Sequence, residues 1–282
     1  MRTASRLLAL VAVLAPASAL AADYEPPLVI EQDPEVYEEA VPVEVGSGWY
    51  LRGDIGYSLA RSTTGPFTFR SFDVGTASYT STTMNPARYG GAVNYGIGFG
   101  YRFTDWFRSD LTLDRFDMPA SGTAALGTPC AGQAAGTTCN ANFNSVLSAY
   151  SLMANAYVDL GTFARFTPYV GLGAGIVRAR WLTGTVDYNC VPGAMACVAG
   201  NPQAQLGGLT SYRFSYAAMA GVAFDINKNF KLDLGYKFRA VGGGDSHSFS
   251  GADQTAGATG AQVSAPGFMS HEIRLGLRYE LW

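Results

Sequence analysis

Seventeen charged side chains pose the first chemical question, because they recur at alternate positions within otherwise apolar segments. Nine are basic (Arg52, Arg102, Arg108, Arg213, Lys231, Lys237, Arg239, Arg274, Arg278) and eight are acidic (Asp54, Asp110, Asp114, Asp159, Asp225, Asp233, Glu272, Glu280). So balanced a set suits an enclosed face on which opposite charges pair, since an unpaired ion there would be very costly. The expectation is a network of ion pairs, with no reaction attached to it.

Catalytic chemistry has little to work with. Only His247 and His271 are available, so no metal site built on histidine is expected and no cofactor is implied. The run Asp245-Ser246-His247-Ser248 looks like a hydrolase cluster. Neighbours in a flexible, glycine-flanked loop rarely hold nucleophile-to-base geometry, however, so it reads as an ordinary polar loop. His271 falls on the apolar row of the last segment, where a lipid-modifying enzyme could keep a catalytic histidine. Its neighbour Ser270 points to the other face and no partner can be assigned, so an interfacial histidine is expected. Gly171, Gly173 and Gly175 form G-x-G-x-G inside a strand pattern with no helix after it, which is packing and not nucleotide binding. A net charge of −3 argues against nucleic acid as a partner. The chain is read as a non-enzyme.

The elements that position these residues are strands. Trp49, Leu51, Ile55, Tyr57 and Leu59 oppose Tyr50, Arg52, Asp54, Gly56 and Ser58. The same period of two runs through seven later segments, near residues 93–103, 107–114, 150–160, 166–179, 212–226, 230–239 and 272–281. Connections alternate between long ones (60–88, 117–145, 180–211, 241–267) and tight turns near Thr104, Gly161 and Asn227. In an antiparallel arrangement this rhythm puts every long loop at one end and both termini at the other. Residues 48–282 are therefore expected to form an all-β domain, an eight-stranded antiparallel transmembrane up-and-down β-barrel.

Residues 1–21 read as a secretory signal, with Arg2 and Arg6 ahead of a short apolar core and Ala19-Leu20-Ala21 at the cleavage site. Residues 22–47 are acidic and proline-rich without a basic residue, and are expected to be a disordered periplasmic segment. In an exported chain four cysteines imply disulfides. Of three open connectivities, short separation favours Cys130 with Cys139 and Cys190 with Cys197, loop staples worth roughly 2 to 3 kcal/mol each.

Alternation does not say which face points outward, since a soluble lipocalin has the same strands inverted. Three observations favour lipid on the apolar side. The opposite face is dense in glycine, which lets a narrow barrel close around large neighbours. Its charges balance. Aromatic residues gather near strand ends as two girdles, with Trp49, Trp106, Phe107, Phe166 and Phe230 toward the short turns and Tyr57, Trp181, Tyr212 and Phe238 toward the long loops. A lipocalin would also carry G-x-W on its first strand, where this chain has Ser47-Gly48-Trp49.

Four stretches resemble the small porin-like outer-membrane β-barrel surface proteins of α-proteobacteria, related in architecture to opacity proteins and the OmpA transmembrane domain. They are Trp49-Tyr50-Leu51-Arg52-Gly53-Asp54-Ile55-Gly56-Tyr57, Gly98-Phe99-Gly100-Tyr101-Arg102-Phe103 leading into Trp106-Phe107-Arg108-Ser109-Asp110, Thr167-Pro168-Tyr169-Val170-Gly171, and His271-Glu272-Ile273-Arg274-Leu275-Gly276-Leu277-Arg278-Tyr279. The family pattern ends on an aromatic residue in the lipid-facing register. Here Leu281 holds that register and Trp282 follows, read as a cap on the short-turn girdle. The resemblance implies a monomeric protein of the bacterial outer membrane, inserted by the barrel assembly machinery and surrounded by lipid and lipopolysaccharide. Four loops would offer an interaction surface to unknown extracellular partners. A narrow, low-conductance pore for small solutes is the alternative.

Overall fold

A computed structural model describes residues 48–281 apart from 60, 86, 127, 128, 131, 199 and 201. The expected signal, the acidic segment and Trp282 lie outside the described residues. In chain order the strands are β1 (Trp49–Ser58), β2 (Arg61–Ser62), β3 (Phe67–Asp73), β4 (Ser78–Met84), β5 (Ala87–Tyr89), β6 (Ala92–Arg102), β7 (Phe107–Ala125) and β8 (Thr138–Asp159). They continue as β9 (Phe166–Trp181), β10 (Gly184–Val191), β11 (Gln203–Gly208), β12 (Thr210–Asp225), β13 (Phe230–Val241), β14 (Gly244–Ser248), β15 (Ala261–Ala265) and β16 (Phe268–Glu280), with one short helix, α1 (Gly251–Thr255), before β15.

Eight long strands pair in the order β1–β6–β7–β8–β9–β12–β13–β16, and β16 pairs back onto β1. Every pairing is antiparallel, so the ring leaves no open edge. Along each strand the side chains alternate between two environments. Ile97 is 66 % exposed and Leu172 69 %, whereas Asp114 and Glu272 on the opposite rows are 0 % exposed. The ring is thus greasy outside and ionic inside, the inverse of a lipocalin. Glycine makes room for the filling: a Cβ at Gly221 or Gly235 would stand 2.6 or 2.7 Å from the Tyr169 hydroxyl.

The long connections are not the open loops that the sequence suggested. β7 and β8 stay paired as far as Ala125 and Asn140, well past residues 114 and 150 where the apolar-outside alternation stops. From there the sheet continues through β8–β10–β11–β14–β15–β3–β4, and β2–β5 joins it at β7. Above the ring, the inward positions become apolar. Phe67, Met84, Phe116, Phe143, Leu147, Trp181, Val263 and Phe268 pack into one buried cluster at the loop end. The molecule therefore has two storeys, an ionic one inside the ring and a hydrophobic one inside the folded loops.

Candidate functional site

The ionic storey centres on Asp114 of β7. Its carboxylate accepts from Lys237 Nζ at 2.9 Å, from an Arg239 nitrogen at 2.6 Å and from an Arg274 nitrogen at 2.7 Å, and its side chain is fully enclosed. Glu272 shares the two arginines, with Arg274 at 2.5 Å and Arg239 at 3.7 Å. A second group joins Arg52 to Asp54 at 2.7 Å and to Asp110 at 2.8 Å, with Tyr157 and Asn155 completing its hydrogen bonds. Arg108 pairs with Asp159 at 3.1 Å while lying over the Tyr157 ring at 4.2 Å. Arg278 stands 3.6 Å from Asp233. At the short-turn rim Lys231 meets Asp225 at 2.6 Å and Glu280 at 3.9 Å, and Arg102 also bonds Glu280.

These side chains come from six strands, β1, β7, β8, β12, β13 and β16, with Arg102 added by β6, so closure of the ring is what assembles them. Midway along the ring, beside Arg52, Tyr157, Tyr169 and Asp233, they leave a void of about 10 Å³, at the lower limit of the space one water needs, whereas at the short-turn rim Arg102, Lys231 and Glu280 line a wider pocket of about 340 Å³. The arrangement is a plug of fixed, mutually compensated charge.

Arg213 departs from the expected network. Among the described residues it meets no carboxylate. It donates instead to the carbonyls of Gly244 and Asp245, at 3.1 and 3.2 Å, beside Trp181. Its register opposite Val177 sets it in the hydrophobic storey, above the ions.

Trp181 is also corrected. It is 2 % exposed, edge-on to Phe67 at 6.1 Å, and so is not part of a lipid-facing girdle. Arg178 and Arg180 continue the outward row of Ile176, which turns Trp181 inward. Trp49, Tyr57, Trp106, Phe166, Tyr212 and Phe230 face outward and are exposed. Phe107 is half-buried beside Trp106, and Phe238 half-buried against His271.

The two histidines prove unlike each other. His271 lies on the outward row between Tyr236 and Phe238, and its Nδ1 bonds the Tyr236 hydroxyl. His247, expected in a flexible polar loop, is on β14 and fully buried in the hydrophobic storey. Its Nε2 stands 3.0 Å from Ser145 Oγ and 3.1 Å from the Leu182 carbonyl, and its Nδ1 3.1 Å from Ser246 Oγ. Ser145 and His247 have the spacing of a nucleophile and its base. Yet the imidazole is enclosed by Phe143 and Trp181, and no carboxylate touches it among the described residues. Burial lowers its pKa to about 4 from the usual 6.5, so it is a neutral packing and hydrogen-bonding group at physiological pH.

Disulfides join Cys130 to Cys139 and Cys190 to Cys197. Cys139 and Cys190 are direct register partners across β8 and β10, so the two staples sit side by side at the loop end.

The hydrophobic storey was missed, although the sequence carries its signal. Along β7 the outward row runs Leu111, Leu113, Arg115, Asp117 while the inward row runs Asp110, Thr112, Asp114, Phe116, Met118. The two rows exchange character between residues 114 and 116. On β9 the same exchange falls at Val177 and Arg178.

Over residues 7–265 the chain matches the family described as outer membrane protein beta-barrel domain. A protein of uncharacterised function from Brucella suis biovar 1 (strain 1330) is 36% identical over 266 residues, covering 86% of this chain and 88% of that one. A Rickettsia felis protein described as a candidate adhesin is 26% identical over 246 residues, 85% of this chain and 90% of that one. Among solved structures, Neisserial surface protein A shares 16% identity at a TM-score of 0.44, with 83% of this chain and 98% of that chain covered.

Proposed function

The chain belongs to the outer membrane protein β-barrel family and is an outer-membrane protein with an all-β antiparallel barrel fold; from that premise we propose that it is a closed, eight-stranded transmembrane barrel that carries a rigid surface dome. In this reading residues 1–21 direct export and are removed, residues 22–47 lie in the periplasm, and the hydrophobic storey stands on the cell exterior. The barrel assembly machinery inserts the chain as a monomer. The work of the protein is structural and interactive, holding the envelope and presenting the folded loops to extracellular partners. The description of the Rickettsia felis relative is in keeping with a surface-contact role.

One observation carries the reading: above the short-turn rim the ring is crossed by paired ions, with a void of about 10 Å³ beside Arg52 and Asp233, and is then roofed by an apolar cluster. A path for solutes would have to break both layers. Planar-bilayer recording of purified protein tests this. The expected trace shows no steady openings; large, reproducible conductance steps would replace the structural reading with the pore. Lipid modification is tested separately, since an altered lipopolysaccharide acyl pattern in a His271→Ala strain would make the protein an enzyme.

A further inference from the structure

The outward surface at the loop end is chemically one-sided. Register places Tyr95, Arg115, Tyr150, Arg178 and Tyr212 in one continuous row across β6, β7, β8, β9 and β12. The row beneath it, Ile97, Leu113, Leu152, Ile176 and Phe214, is wholly apolar. Arginine and tyrosine therefore begin where hydrocarbon-facing residues end, at the level of lipid headgroups. The next row up adds Arg180, aligned with Ser148 and Asp117. Around the rest of the wall, no Arg or Lys faces outward on β1, β12, β13 or β16 among the described residues.

These cations are open to an external anion. Arg178 and Arg180 are exposed and meet no carboxylate among the described residues. Arg115 has only Asp117, at 3.5 Å with both side chains about half exposed, and it donates to the Tyr150 hydroxyl at 3.2 Å. Directly above the row, between Pro119 of β7, Val146 of β8 and Leu182 beyond β9, lies a groove of about 640 Å³ that also presents Arg88, Ser121 and Asn144. Guanidinium forks match phosphate oxygens, and amide and hydroxyl groups match sugar hydroxyls.

We propose that the β7–β9 wall is a docking site for the phosphorylated sugar headgroup of lipopolysaccharide, with phosphate on Arg115, Arg178 and Arg180 and sugar in the groove above. The proposal rests on the placement of the strands across the outer membrane. Charge complementarity and the height of the row select this occupant, because a phosphate at the end of the apolar band is what an outer-leaflet glycolipid presents there. Basic pockets at that depth are a general means of holding anionic headgroups.

Native mass spectrometry of the full mature protein in detergent micelles supplies the test, with bisphosphorylated lipid A and its dephosphorylated counterpart as probes. Wild type should bind the phosphorylated form about tenfold more tightly or better. The triple variant R115Q/R178Q/R180Q should lose that preference while binding dephosphorylated lipid as before. A control variant, R165Q/K228Q, removes cations from the short-turn end and should keep it. Equal affinity of wild type for the two lipids, full retention by the triple variant, or an equal loss in the control would each overturn the proposal. Heat-modifiable gel migration accompanies every sample. Its absence in wild type would overturn the membrane placement itself, whereas a folded triple variant with unchanged preference would overturn only the site.

Discussion

Asp114→Ala is the sharpest test of the ionic storey. The substitution removes the carboxylate on which Lys237, Arg239 and Arg274 converge within 2.9 Å. The two arginines retain Glu272, at 3.7 and 2.5 Å. Lys237, 1 % exposed, then has no carboxylate within ion-pair distance among the described residues, since its register partner Glu272 is engaged by the two arginines. Stranding one buried charge in this way costs about 3 to 5 kcal/mol. With a urea dependence of about 2 kcal/mol per molar, the unfolding midpoint should fall by roughly 2 M. The assay is reversible urea unfolding of the protein in lipid vesicles, followed by tryptophan fluorescence and by the folded band in unboiled gels. Asp117→Ala is the comparison. It breaks an ion pair of 3.5 Å with half-exposed partners and should cost no more than about 0.5 kcal/mol. Removing both Asp114 and Lys237, as Asp114→Ala with Lys237→Met, should recover about 2 kcal/mol of the single-variant loss, since the stranded charge goes with its partner. If Asp114→Ala unfolded within about 1 kcal/mol of wild type, the network would not be a low-dielectric, mutually compensated plug, and the account of the closed interior would fail.

Three further outcomes follow from the hydrophobic storey. His247 has a folded-state pKa of about 4 against the usual 6.5, so the folded form holds fewer protons between those values. The stability it supports is complete above pH 6.5 and falls away toward pH 4, by about 3 kcal/mol. Protease cleavage of the loop-end segments should therefore rise on acidification in wild type and rise less in His247→Phe; parallel pH profiles would rule this out. Trp181→Ala should destabilise the loop-end core by about 3 to 5 kcal/mol while the ring keeps its heat-modifiable band, because the side chain is buried among Phe67, Tyr89 and His247 and faces no lipid. Replacing Cys130 and Cys139 with serine should weaken the loop end by about 2 to 3 kcal/mol, read as faster proteolysis near the β7–β8 tip, and should leave the ring untouched.

The ring strands were legible because a period of two survives any local noise: Leu232 and Leu234 against Asp233 fixes a face without reference to anything distant. The charged residues were legible for the same reason. Which carboxylate meets which cation was not, because Asp114 and Arg274 are 160 residues apart and are joined only by ring closure. The folded loops escaped for a different cause. Glycine-, serine- and alanine-rich connections look like coil when scored by composition, yet β7 and β8 carry their alternation straight through Ala120 and Ala141 with the polarity of the two rows reversed. Trp181 has the same cause: an aromatic at the end of an apolar strand resembles a girdle residue, although counting two from Ile176 puts Arg178 and Arg180 outward and Trp181 inward. The sequence neighbours of His247 suggest a polar loop, whereas its environment is supplied by Phe143, Ser145 and Trp181 from two other strands.

The row exchange on β7 also bears on how such a surface can change over generations. Above residue 115 every second side chain belongs to a packed interior, and only the others, such as Asp117, Pro119, Ser121 and Thr123, face outward. Substitutions can accumulate at those positions with little effect on folding, while Phe116, Met118 and Ala120 are held by their packing. Diversity on the exposed face of this protein is therefore expected to be written with a stride of two residues along the paired strands.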